Sequence, residues 1–379
     1  MIGRFVMLCS KKVVFCAVVA SVLNLSAAPK DYTPPPPMVT PSKTYTPPAL
    51  LDKDSWTMVV VPDPQSYVKF TRNIGIADLM FSWIAENAEN MKIQQVLITG
   101  DMVDSNRTMR CYEGGNNQTG WEQWQNISTL LKRLDDKVPY VVSTGNHDYG
   151  ERGSEDRHSY LDRFFPVGRN NALKNILQDC GPNAFGQPTL ENAAYAFTTP
   201  HGQKILIVSL AYDPMDKQIE WAKKMFAKFS DHFGILLTHS YFYANYKRMG
   251  RMPKTSLSFN DGNSGEDIFK KLVKVSPNVR LVICGHVSWA DDWRGCSAFM
   301  TSKNDAGKTV YEMLFDPQAI GGGFNGNGGD GWIRLLEFSK DMKTIKARTF
   351  SPLFAISPST QHLAWQTSEL NEFTIKIED

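Results

Sequence analysis

The chain has 379 residues, of which 42% are hydrophobic and 21% are charged. This composition supports a substantial core and excludes a disordered or collagen-like protein. The formal net charge of +2 includes three basic residues near the N-terminus, Arg4, Lys11 and Lys12. Removing these three of the 41 basic residues leaves 38 against 39 acidic ones. A near-neutral chain lacks the positive excess of a general nucleic-acid-binding protein, so we expect no such binding.

Residues 1–28 have the layout of a secretory signal peptide. The basic residues precede a short apolar run from Val13 to Leu25, and the small residues Ser26, Ala27 and Ala28 are typical of a cleavage site. The run is shorter than the roughly 20 apolar residues that span a bilayer. We therefore expect an exported protein, periplasmic or extracellular, with no membrane span after the signal is removed.

Residues 29–54 are predicted to form an extended, solvated linker, because eight prolines lie between Pro29 and Pro48. Four cysteines follow this segment, and an even number of cysteines in an oxidising compartment permits disulfides. They are Cys111, Cys180, Cys284 and Cys296. Cys111 and Cys180 lie in loop-like sequence and are the expected pair, whereas Cys284 ends an apolar run typical of a core.

Beyond the linker, apolar β-branched runs alternate with amphipathic segments in the first part of the chain. The apolar runs predict strands at Thr57–Pro62, Gln95–Thr99, Tyr140–Ser143, Lys204–Leu210, Gly234–Thr238 and Arg280–Cys284. The amphipathic segments predict helices near Asn73–Lys92, Trp121–Leu134, Lys217–Phe229 and Glu266–Val275. This alternation indicates an α/β architecture.

The later part of the chain contains mostly strand-like sequence. Its predicted strands are Ala298–Thr301, Val310–Phe315, Trp332–Phe338, Thr344–Phe350 and Phe373–Ile377. We expect one domain over residues 55–352 and a C-terminal extension, residues 353–379, that packs on it. Two long segments, Ser105–Gly120 and Tyr149–Asn192, are predicted to be irregular.

Polar motifs follow five of the predicted strands, at the point where each strand ends. They are Asp63-Pro64-Gln65, Gly100-Asp101-Met102-Val103-Asp104, Gly145-Asn146-His147-Asp148, His239-Ser240 and Gly285-His286-Val287-Ser288. Open α/β sheets bind ligands at this edge, and Asp, Asn and His suit Mn, Fe, Zn or Mg. The glycines let the backbone approach a bound ion without an intervening Cβ. The motifs therefore predict a site for divalent metal ions.

The order and spacing of these motifs resemble the calcineurin-like metallophosphoesterase superfamily, whose motifs run D-x-H, G-D-x-x-D, G-N-H-D/E, a lone H, and G-H-x-H. The resemblance covers roughly Val59 to Ser288, and compatible sequence continues to about Pro352. It implies a four-layer α/β/β/α sandwich, in which two packed mixed β-sheets are flanked by helices. It also implies a phosphoesterase that uses two divalent metal ions.

The resemblance further implies a role for each matching residue. Asp101 would bridge both metals, Asp63 would bind the first, and the second would be held by Asn146, His239 and His286. Water made acidic by the metals would attack phosphorus. His147 would contact phosphate and protonate the departing alcohol as general acid. Asp104 would hydrogen-bond His147 and fix its orientation.

Two positions depart from the family pattern. Gln65 stands where the first motif has His, and Ser288 stands where the last motif has its second His. Both family histidines serve the first metal, which would keep Asp63, Asp101 and the weak carbonyl ligand of Gln65. Two acidic residues are candidates to compensate, Asp291 and Asp292. We therefore expect one firm metal site and one weakened site, whose occupancy depends either on substrate or on a harder, oxygen-preferring ion.

The departures resemble an exported bacterial branch of the superfamily with D-x-Q in the first motif. That branch also has a Gly-rich stretch followed by an aromatic residue, an Arg and, later, S-P. The matching segments here are Asp316-Pro317-Gln318, Gly321–Gly331, Trp332-Ile333-Arg334 and Phe350-Ser351-Pro352. The Gly-rich stretch lacks the G-K-[ST] ending and following helix of a P-loop, so it is predicted to be a loop near the mouth of the site.

Two arginines are candidate substrate contacts, with a solvated loop as the alternative for each. Arg248 belongs to a basic run shortly after His239, and Arg294 follows His286 by eight residues. The long segments predicted to be irregular would rim the site and set substrate choice.

The leading hypothesis is a secreted phosphatase or phosphodiesterase that acts on a small phosphoester. The alternative is a catalytically impaired protein of the same fold that binds metal and serves as a binding module. A serine hydrolase is disfavoured, because no G-x-S-x-G elbow surrounds Ser240. Metal content measured together with turnover separates the two remaining hypotheses.

Overall fold

The computed structural model describes residues 45–111, 115–251, 258–289 and 292–378. The predicted signal peptide and residues 29–44 of the predicted linker lie outside the described residues. Residues 45–54 form neither helix nor strand, but they contact the folded part. The N–H of Leu51 donates to Glu337 Oε1 at 2.7 Å, and Leu50 packs against the core.

The described residues contain fourteen strands, most of them rich in apolar and β-branched residues. They are β1 (Trp56–Val61), β2 (Ile93–Ile98), β3 (Tyr140–Val142), β4 (Leu177–Pro182), β5 (Pro188–Thr198), β6 (Lys204–Ser209), β7 (Phe233–Leu237), β8 (Val279–Cys284), β9 (Ser297–Lys303), β10 (Thr309–Phe315), β11 (Ile333–Phe338), β12 (Thr344–Phe350), β13 (Trp365–Gln366) and β14 (Phe373–Lys376).

The same residues contain seven α-helices: α1 (Gln65–Val68), α2 (Ile74–Glu86), α3 (Gly120–Leu131), α4 (Leu161–Phe164), α5 (Asp216–Lys228), α6 (Gly265–Ile268) and α7 (Pro352–Ala355). Six 3₁₀ turns lie at Thr71–Asn73, Asn146–Asp148, Asn171–Leu173, Trp293–Gly295, Pro317–Ala319 and Gln361–Leu363, and a π-helical segment, Phe269–Val273, continues α6. None of the helices in the described part is long and apolar enough to cross a bilayer.

The strands form two mixed sheets. The first has the order β13–β12–β11–β1–β2–β3, and β14 also pairs with β12. Its strands β1, β2 and β3 are parallel, whereas β11 runs antiparallel to β1. The second sheet has the order β4–β5–β6–β7–β8–β10–β9. Its strands β6, β7, β8 and β10 are parallel. The outer strands β4, β5 and β9 pair antiparallel with their neighbours.

The strand β6 shows how the layers pack, because its side chains alternate between two apolar cores. Ile205 and Ile207 belong to the main core, which includes residues of both sheets and of α2 and α3. Leu206 and Val208 belong to a second core on the other face of the sheet, together with Phe226 of α5. Helices therefore cover the outer face of each sheet, and the predicted four-layer α/β/β/α sandwich is confirmed.

The predicted irregular segment Tyr149–Asn192 is wrong over its second half, where β4 and the start of β5 lie. The sequence of β4, LQDCGP, contains Gly and Pro and forms an edge of the sheet with mostly accessible side chains. The first half of β5 includes Glu191 and Asn192. Neither strand has the apolar alternation that identifies strands from sequence. The later strands also do not form a separate layer, because β11 and β12 extend the first sheet while β9 and β10 extend the second.

The predicted disulfide between Cys111 and Cys180 is absent, and all four cysteines of the described residues are free thiols. Cys180 lies on β4 opposite Ala193 of β5, whereas Cys111 is exposed in a loop. Cys284 ends β8 and is buried, as its apolar surroundings in the sequence predict.

The C-terminal segment is fastened to the sandwich by the fully buried Arg334 of β11. Its guanidinium donates to the carbonyl of Leu370 at 3.0 Å, to Asn371 Oδ1 at 2.8 Å and to Ser297 Oγ at 3.0 Å. It also stacks over the ring of Phe315, 4.1 Å from the centroid. Burial lowers the pKa of Arg334 to about 9, so the side chain keeps its charge at neutral pH.

We predict that Arg334→Ala lowers the free energy of unfolding by about 3 kcal/mol, because several buried acceptors lose their donor. Urea unfolding followed by circular dichroism measures the change. Lys346→Ala on the neighbouring strand β12 is the control, since it removes a partly exposed ion pair with Glu372 and should change stability little. Equal losses in the two variants would show that Arg334 does not fasten the C-terminal segment.

Candidate metal centre

The five polar motifs meet at one end of the sandwich. Asp63, Asp101 and Asn146 follow β1, β2 and β3 of the first sheet, while His239 and His286 follow β7 and β8 of the second. Parallel strands place their carboxyl ends at the same edge of a sheet. The structure therefore brings together the polar groups that the sequence places after separate strands.

Four potential ligand atoms of the predicted second metal site converge. His239 Nε2 lies 3.0 Å from His286 Nδ1, 3.2 Å from Asn146 Oδ1 and 3.4 Å from Asp101 Oδ2. Donors that lie about 2.0–2.1 Å from a shared ion are about 3.0–3.4 Å apart in octahedral or tetrahedral coordination. The observed separations fit a divalent cation held by these four side chains.

The tautomer of His239 supports this arrangement. Its Nδ1 lies 2.9 Å from the carbonyl oxygen of Thr99, and a carbonyl only accepts, so Nδ1 carries the proton of the neutral ring. The lone pair of Nε2 then faces the amide oxygen of Asn146 and the carboxylate of Asp101. Buried lone pairs that face one another are unfavourable unless a positive charge lies among them.

The charges around the cluster lead to the same conclusion. Burial disfavours the charged ring of His239, yet the carboxylates of Asp101 and Asp63 outweigh it and raise its pKa to about 10. Burial and the neighbouring His239 lower the pKa of His286 to about 3, so this second ring is neutral and offers a lone pair. The site favours positive charge, and a bound cation would supply it.

The backbone at the site is unusually close to the ligands. A Cβ on Gly145 would lie 2.1 Å from Asp101 Oδ1, and one on Gly285 would lie 2.2 Å from Asp63 Oδ1. Asp101 and His286 have φ values of 46° and 72°, in the left-handed region that costs such residues about 1–3 kcal/mol each. The fold therefore sustains local strain in order to orient these two side chains.

His147 lies beside the cluster and is held by the main chain. Its N–H donates to Asp101 Oδ1 at 2.9 Å, and its ring Nδ1 lies 2.7 Å from the carbonyl oxygen of Asp104 and 3.2 Å from that of Arg152. Carbonyls only accept, so Nδ1 is protonated and Nε2 is left to exchange a proton. Burial opposes a charged ring, but Asp101 and Asp104 raise the pKa of His147 above its usual value. The ring remains partly exposed.

Asp104 hydrogen-bonds His147 through its main-chain carbonyl oxygen and not through its carboxylate. The Asp104 carboxylate instead forms an almost buried ion pair with Lys69 Nζ at 2.9 Å. The main-chain N–H of Asp104 donates to Gln123 Oε1 at 2.8 Å. Asp104 therefore orients His147 through its carbonyl oxygen, while Lys69 neutralises its carboxylate. Gln123 fixes the main chain at Asp104.

The two positions that depart from the family motifs have other partners. Gln65 Nε2 donates to Gln318 Oε1 at 2.7 Å, whereas Gln65 Oε1 is buried and has no hydrogen-bond partner among the described residues. Ser288 Oγ accepts from the N–H of Ala319 at 3.0 Å. A free carbonyl oxygen at position 65 fits the predicted weak ligand, whereas Ser288 binds the loop after β10.

Of the two predicted compensating residues, Asp292 is engaged with another partner. Asp292 Oδ1 accepts from the N–H of Arg294 at 2.9 Å and pairs with its guanidinium. Asp291 lies outside the described residues. Asp63, the remaining predicted ligand of the first metal, accepts from Thr99 Oγ1 at 2.6 Å and from the N–H of His286 at 2.9 Å.

The family assignment follows from a comparison of the whole motif set. The sequence profile of the calcineurin-like phosphoesterase family matches residues 59–288, which is more than half of the chain. The chain belongs to this family. Membership implies bound divalent metal ions, in agreement with the donor atoms that converge around His239 Nε2.

Individual relatives of this calcineurin-like phosphoesterase are distant. The uncharacterized protein YvnB of Bacillus subtilis (strain 168) is 28% identical over 310 residues, which are 79% of this chain and 20% of YvnB. The chain thus spans about a fifth of the length of this curated relative. GAP50, the anchor in the inner membrane complex of Plasmodium, is 11% identical with a TM-score of 0.41 over 86% of this chain and 90% of that one. A dimetal phosphatase from Danio rerio is 11% identical with a TM-score of 0.46 over 85% and 99% of the two chains.

The two arginines predicted to contact substrate, Arg248 and Arg294, have different surroundings in the structure. The prediction for Arg248 is wrong, because its guanidinium forms an ion pair with the buried Glu312 at 2.6 Å and stacks on Phe269, 3.5 Å from the ring centroid. Arg294 borders a cavity of about 170 Å³ together with Trp289 and residues that follow His239. Arg294 stays a predicted contact, whereas Arg248 stabilises the packing of α6 and the π-helical segment on the second sheet.

Sequence reasoning missed three residues that hold the phosphoesterase site together. Thr99 binds both Asp63 and His239, and Lys69 neutralises Asp104, as described above. The third, Asp148, accepts from the N–H groups of Val103 at 3.1 Å and Gly145 at 2.8 Å, so it joins the second and third motif loops. Thr99 and Asp148 lie within or next to the motifs, and this position in the sequence could have identified them. The position of Lys69 gives no such indication.

We predict that Gly285→Ala destabilises the protein by about 1–3 kcal/mol, because the new Cβ would displace Asp63. The same variant should lower Mn(II) affinity by about 10-fold or more, as measured by calorimetric titration. Gly75→Ala is the matched control, because Gly75 lies in α2 and an added Cβ meets no atom within 4 Å. This control should bind Mn(II) normally and gain up to about 1 kcal/mol of stability. Normal Mn(II) binding by Gly285→Ala would contradict the packing argument.

Proposed function

We propose that the protein is an exported, metal-dependent phosphoric ester hydrolase, either a phosphatase or a phosphodiesterase, that acts on a small phosphoester. The observation that carries the proposal is the cluster of four potential ligand atoms, His239 Nε2 and three others that lie 3.0–3.4 Å from it. The partly exposed His147 lies beside this cluster. Membership of the calcineurin-like phosphoesterase family supports the choice of phosphoester chemistry.

Each residue has a physical task in the proposed reaction. Asp101, Asn146, His239 and His286 would hold a divalent cation. When bound, it would make a water acidic enough for attack and offset the negative charge of the phosphate. His147 donates its Nε2 proton to the departing alkoxide, so the bond to phosphorus breaks without release of a free alkoxide. Its Nδ1–H donates to the Asp104 carbonyl oxygen throughout, which keeps the ring oriented.

Two features of the sequence support the class of substrate and the location. The chain after residue 28 is close to neutral, so it lacks the positive surface that binds long nucleic acids. Residues 1–28 have the basic, apolar and small-residue parts of an export signal. A small phosphoester outside the cytoplasm is therefore the proposed substrate, and Arg294 is the proposed contact to it.

A second candidate is a metal-stabilised binding protein without turnover. It is favoured by one observation, the replacement of both family histidines of the first metal by Gln65 and Ser288. Two bound equivalents of metal, or one equivalent with measurable turnover, support the hydrolase. One tightly held ion with no turnover of any phosphomonoester or diester supports the binding protein.

We predict that the purified mature protein with Mn(II) hydrolyses an aryl phosphate mono- or diester, and that Asp101→Asn lowers kcat/KM by at least about 10²-fold. The variant is nearly isosteric but removes the carboxylate that faces both His239 and the main chain of His147. Release of the aryl alcohol is followed by absorbance, with chelated wild-type protein as a second inactive sample. Full activity in Asp101→Asn, or after complete removal of metal, would sink the proposal.

We predict that His147→Gln lowers kcat by about 10²–10⁴-fold on an alkyl phosphoester. The loss should be much smaller on a nitrophenyl ester, whose leaving group needs no proton. Asp104→Asn should keep kcat within about fivefold of wild type, because the carbonyl that holds His147 remains. That variant leaves Lys69 unpaired and should lose about 3 kcal/mol of stability, so activities are compared well below its melting temperature. Equal losses on both esters in His147→Gln would argue against a general acid.

A further inference from the structure

Two buried carboxyl groups lie in contact on the side of the site where the family histidines are missing. Asp63 and Asp316 are both fully buried, and their carboxyl groups are close enough to interact and share Gln318 as a neighbour. Among the described residues, the only basic group within ion-pair distance of either is His239, whose Nδ1 lies 3.8 Å from Asp63 Oδ2. Two buried carboxylates in contact require a shared proton or a cation.

An amide network next to the two carboxyl groups leaves one buried oxygen atom without a hydrogen-bond partner. Gln318 Nε2 lies 3.1 Å from Asp316 Oδ2 and 3.5 Å from Asp63 Oδ2, so its amide hydrogens face both carboxyl groups. Its Oε1 accepts from Gln65 Nε2 at 2.7 Å, which fixes the orientation of the Gln65 amide. Gln65 Oε1 is then left buried, with no hydrogen-bond partner in the described part of the chain. A buried carbonyl oxygen without a hydrogen-bond donor needs another partner, and a bound cation would provide one.

The replacement of the second family histidine is connected to this group. Ser288 Oγ accepts from the N–H of Ala319 at 3.0 Å, and Ala319 ends the 3₁₀ turn that Asp316 begins. Asp316 itself is anchored by its N–H, which donates to the carbonyl of Cys296 at 2.8 Å. The small side chain at position 288 thus admits and holds the loop that carries Asp316 into the site.

We propose that Asp316 is a ligand of the first cation, together with Asp63 and Gln65, and that it takes the place of the two absent histidines. The inference rests on the proposed function, which requires cations at this site. Gln318 is a positioning residue, because its amide hydrogens orient the carboxylates and cannot bind a cation themselves. The replacement of the two histidines and the presence of the Asp316 carboxylate therefore amount to an exchange of nitrogen ligands for oxygen ligands.

The exchange sets the class of ion. Carboxylate and amide oxygens suit Mg²⁺, Mn²⁺ and Ca²⁺, whereas the imidazoles of His239 and His286 suit Zn²⁺, Fe²⁺ and Mn²⁺. Mn²⁺ suits both ligand sets, so it is the ion for titrating the two positions in one experiment.

The test is a titration of metal-stripped mature protein with Mn(II) by calorimetry, with bound metal counted by elemental analysis. Wild type is expected to bind two equivalents. Asp316→Asn should keep the tighter equivalent and bind the other about 10–100-fold more weakly. Asp292→Asn is the matched control, because Asp292 is engaged with Arg294, and it should bind two equivalents like wild type.

Each outcome is informative. The inference would be overturned if Asp316→Asn bound both equivalents with unchanged affinity, or if wild type bound only one equivalent. In either case, turnover by the wild-type protein would leave the proposed hydrolase intact. Failure of wild type to bind any Mn(II) would remove the proposed function as well. If circular dichroism shows Asp316→Asn to be unfolded, Gln65→Met replaces it. This variant should weaken the same equivalent and leave the tighter one unchanged, and equal affinities in Gln65→Met and wild type would overturn the inference.

Discussion

The hydrogen bond between the ring of His239 and the main chain of Thr99 is the constraint on which the site depends. It joins a residue after β7 of the second sheet to the end of β2 in the first, at 2.9 Å, so it sets the distance between the two sheets at this edge. Because the main-chain carbonyl of Thr99 can only accept a hydrogen bond, the proton of the neutral ring lies on Nδ1. The lone pair of Nε2 then faces Asp101, Asn146 and His286. A single contact thereby couples the packing of the sandwich to the chemistry of its edge.

The rest of the fold sustains an arrangement that is unfavourable by itself. Left-handed φ angles at Asp101 and His286, buried carboxylates at Asp63 and Asp316, and facing lone pairs all oppose folding of the metal-free chain. Opposing them are two apolar cores, one between the sheets and one under α5. Binding of a cation would recover the cost at the edge, so we expect metal affinity and stability to be linked in this protein.

The sequence predicts the fold where local pattern and burial agree. The strands β1, β2, β3, β6, β7 and β8 are mainly apolar and mostly buried, and the proposed metal ligands follow five of them, all but β6. Where strands lie at an edge or carry polar residues, as β4 and β5 do, the pattern disappears. Asp104 shows a different limit, since sequence reasoning identified it as a partner of His147 but could not show which of its groups binds the ring. Lys69, 35 positions earlier, holds the carboxylate, and the main-chain carbonyl binds His147.

Motif comparison alone treats Gln65 and Ser288 as losses, because each replaces a histidine at a fixed spacing. The geometry gives them positive roles, since Gln65 is held by Gln318, and Ser288 binds the turn that begins at Asp316, 28 positions away in the chain. No spacing rule joins these positions, because the relation is created by β10 and the 3₁₀ turn after it. Substitutions in a motif are therefore best judged together with the residues that fill the vacated volume, and here those residues are oxygen donors. Harder ions prefer oxygen ligands of this kind, which is why we propose that this side of the site is adapted to such an ion rather than decayed.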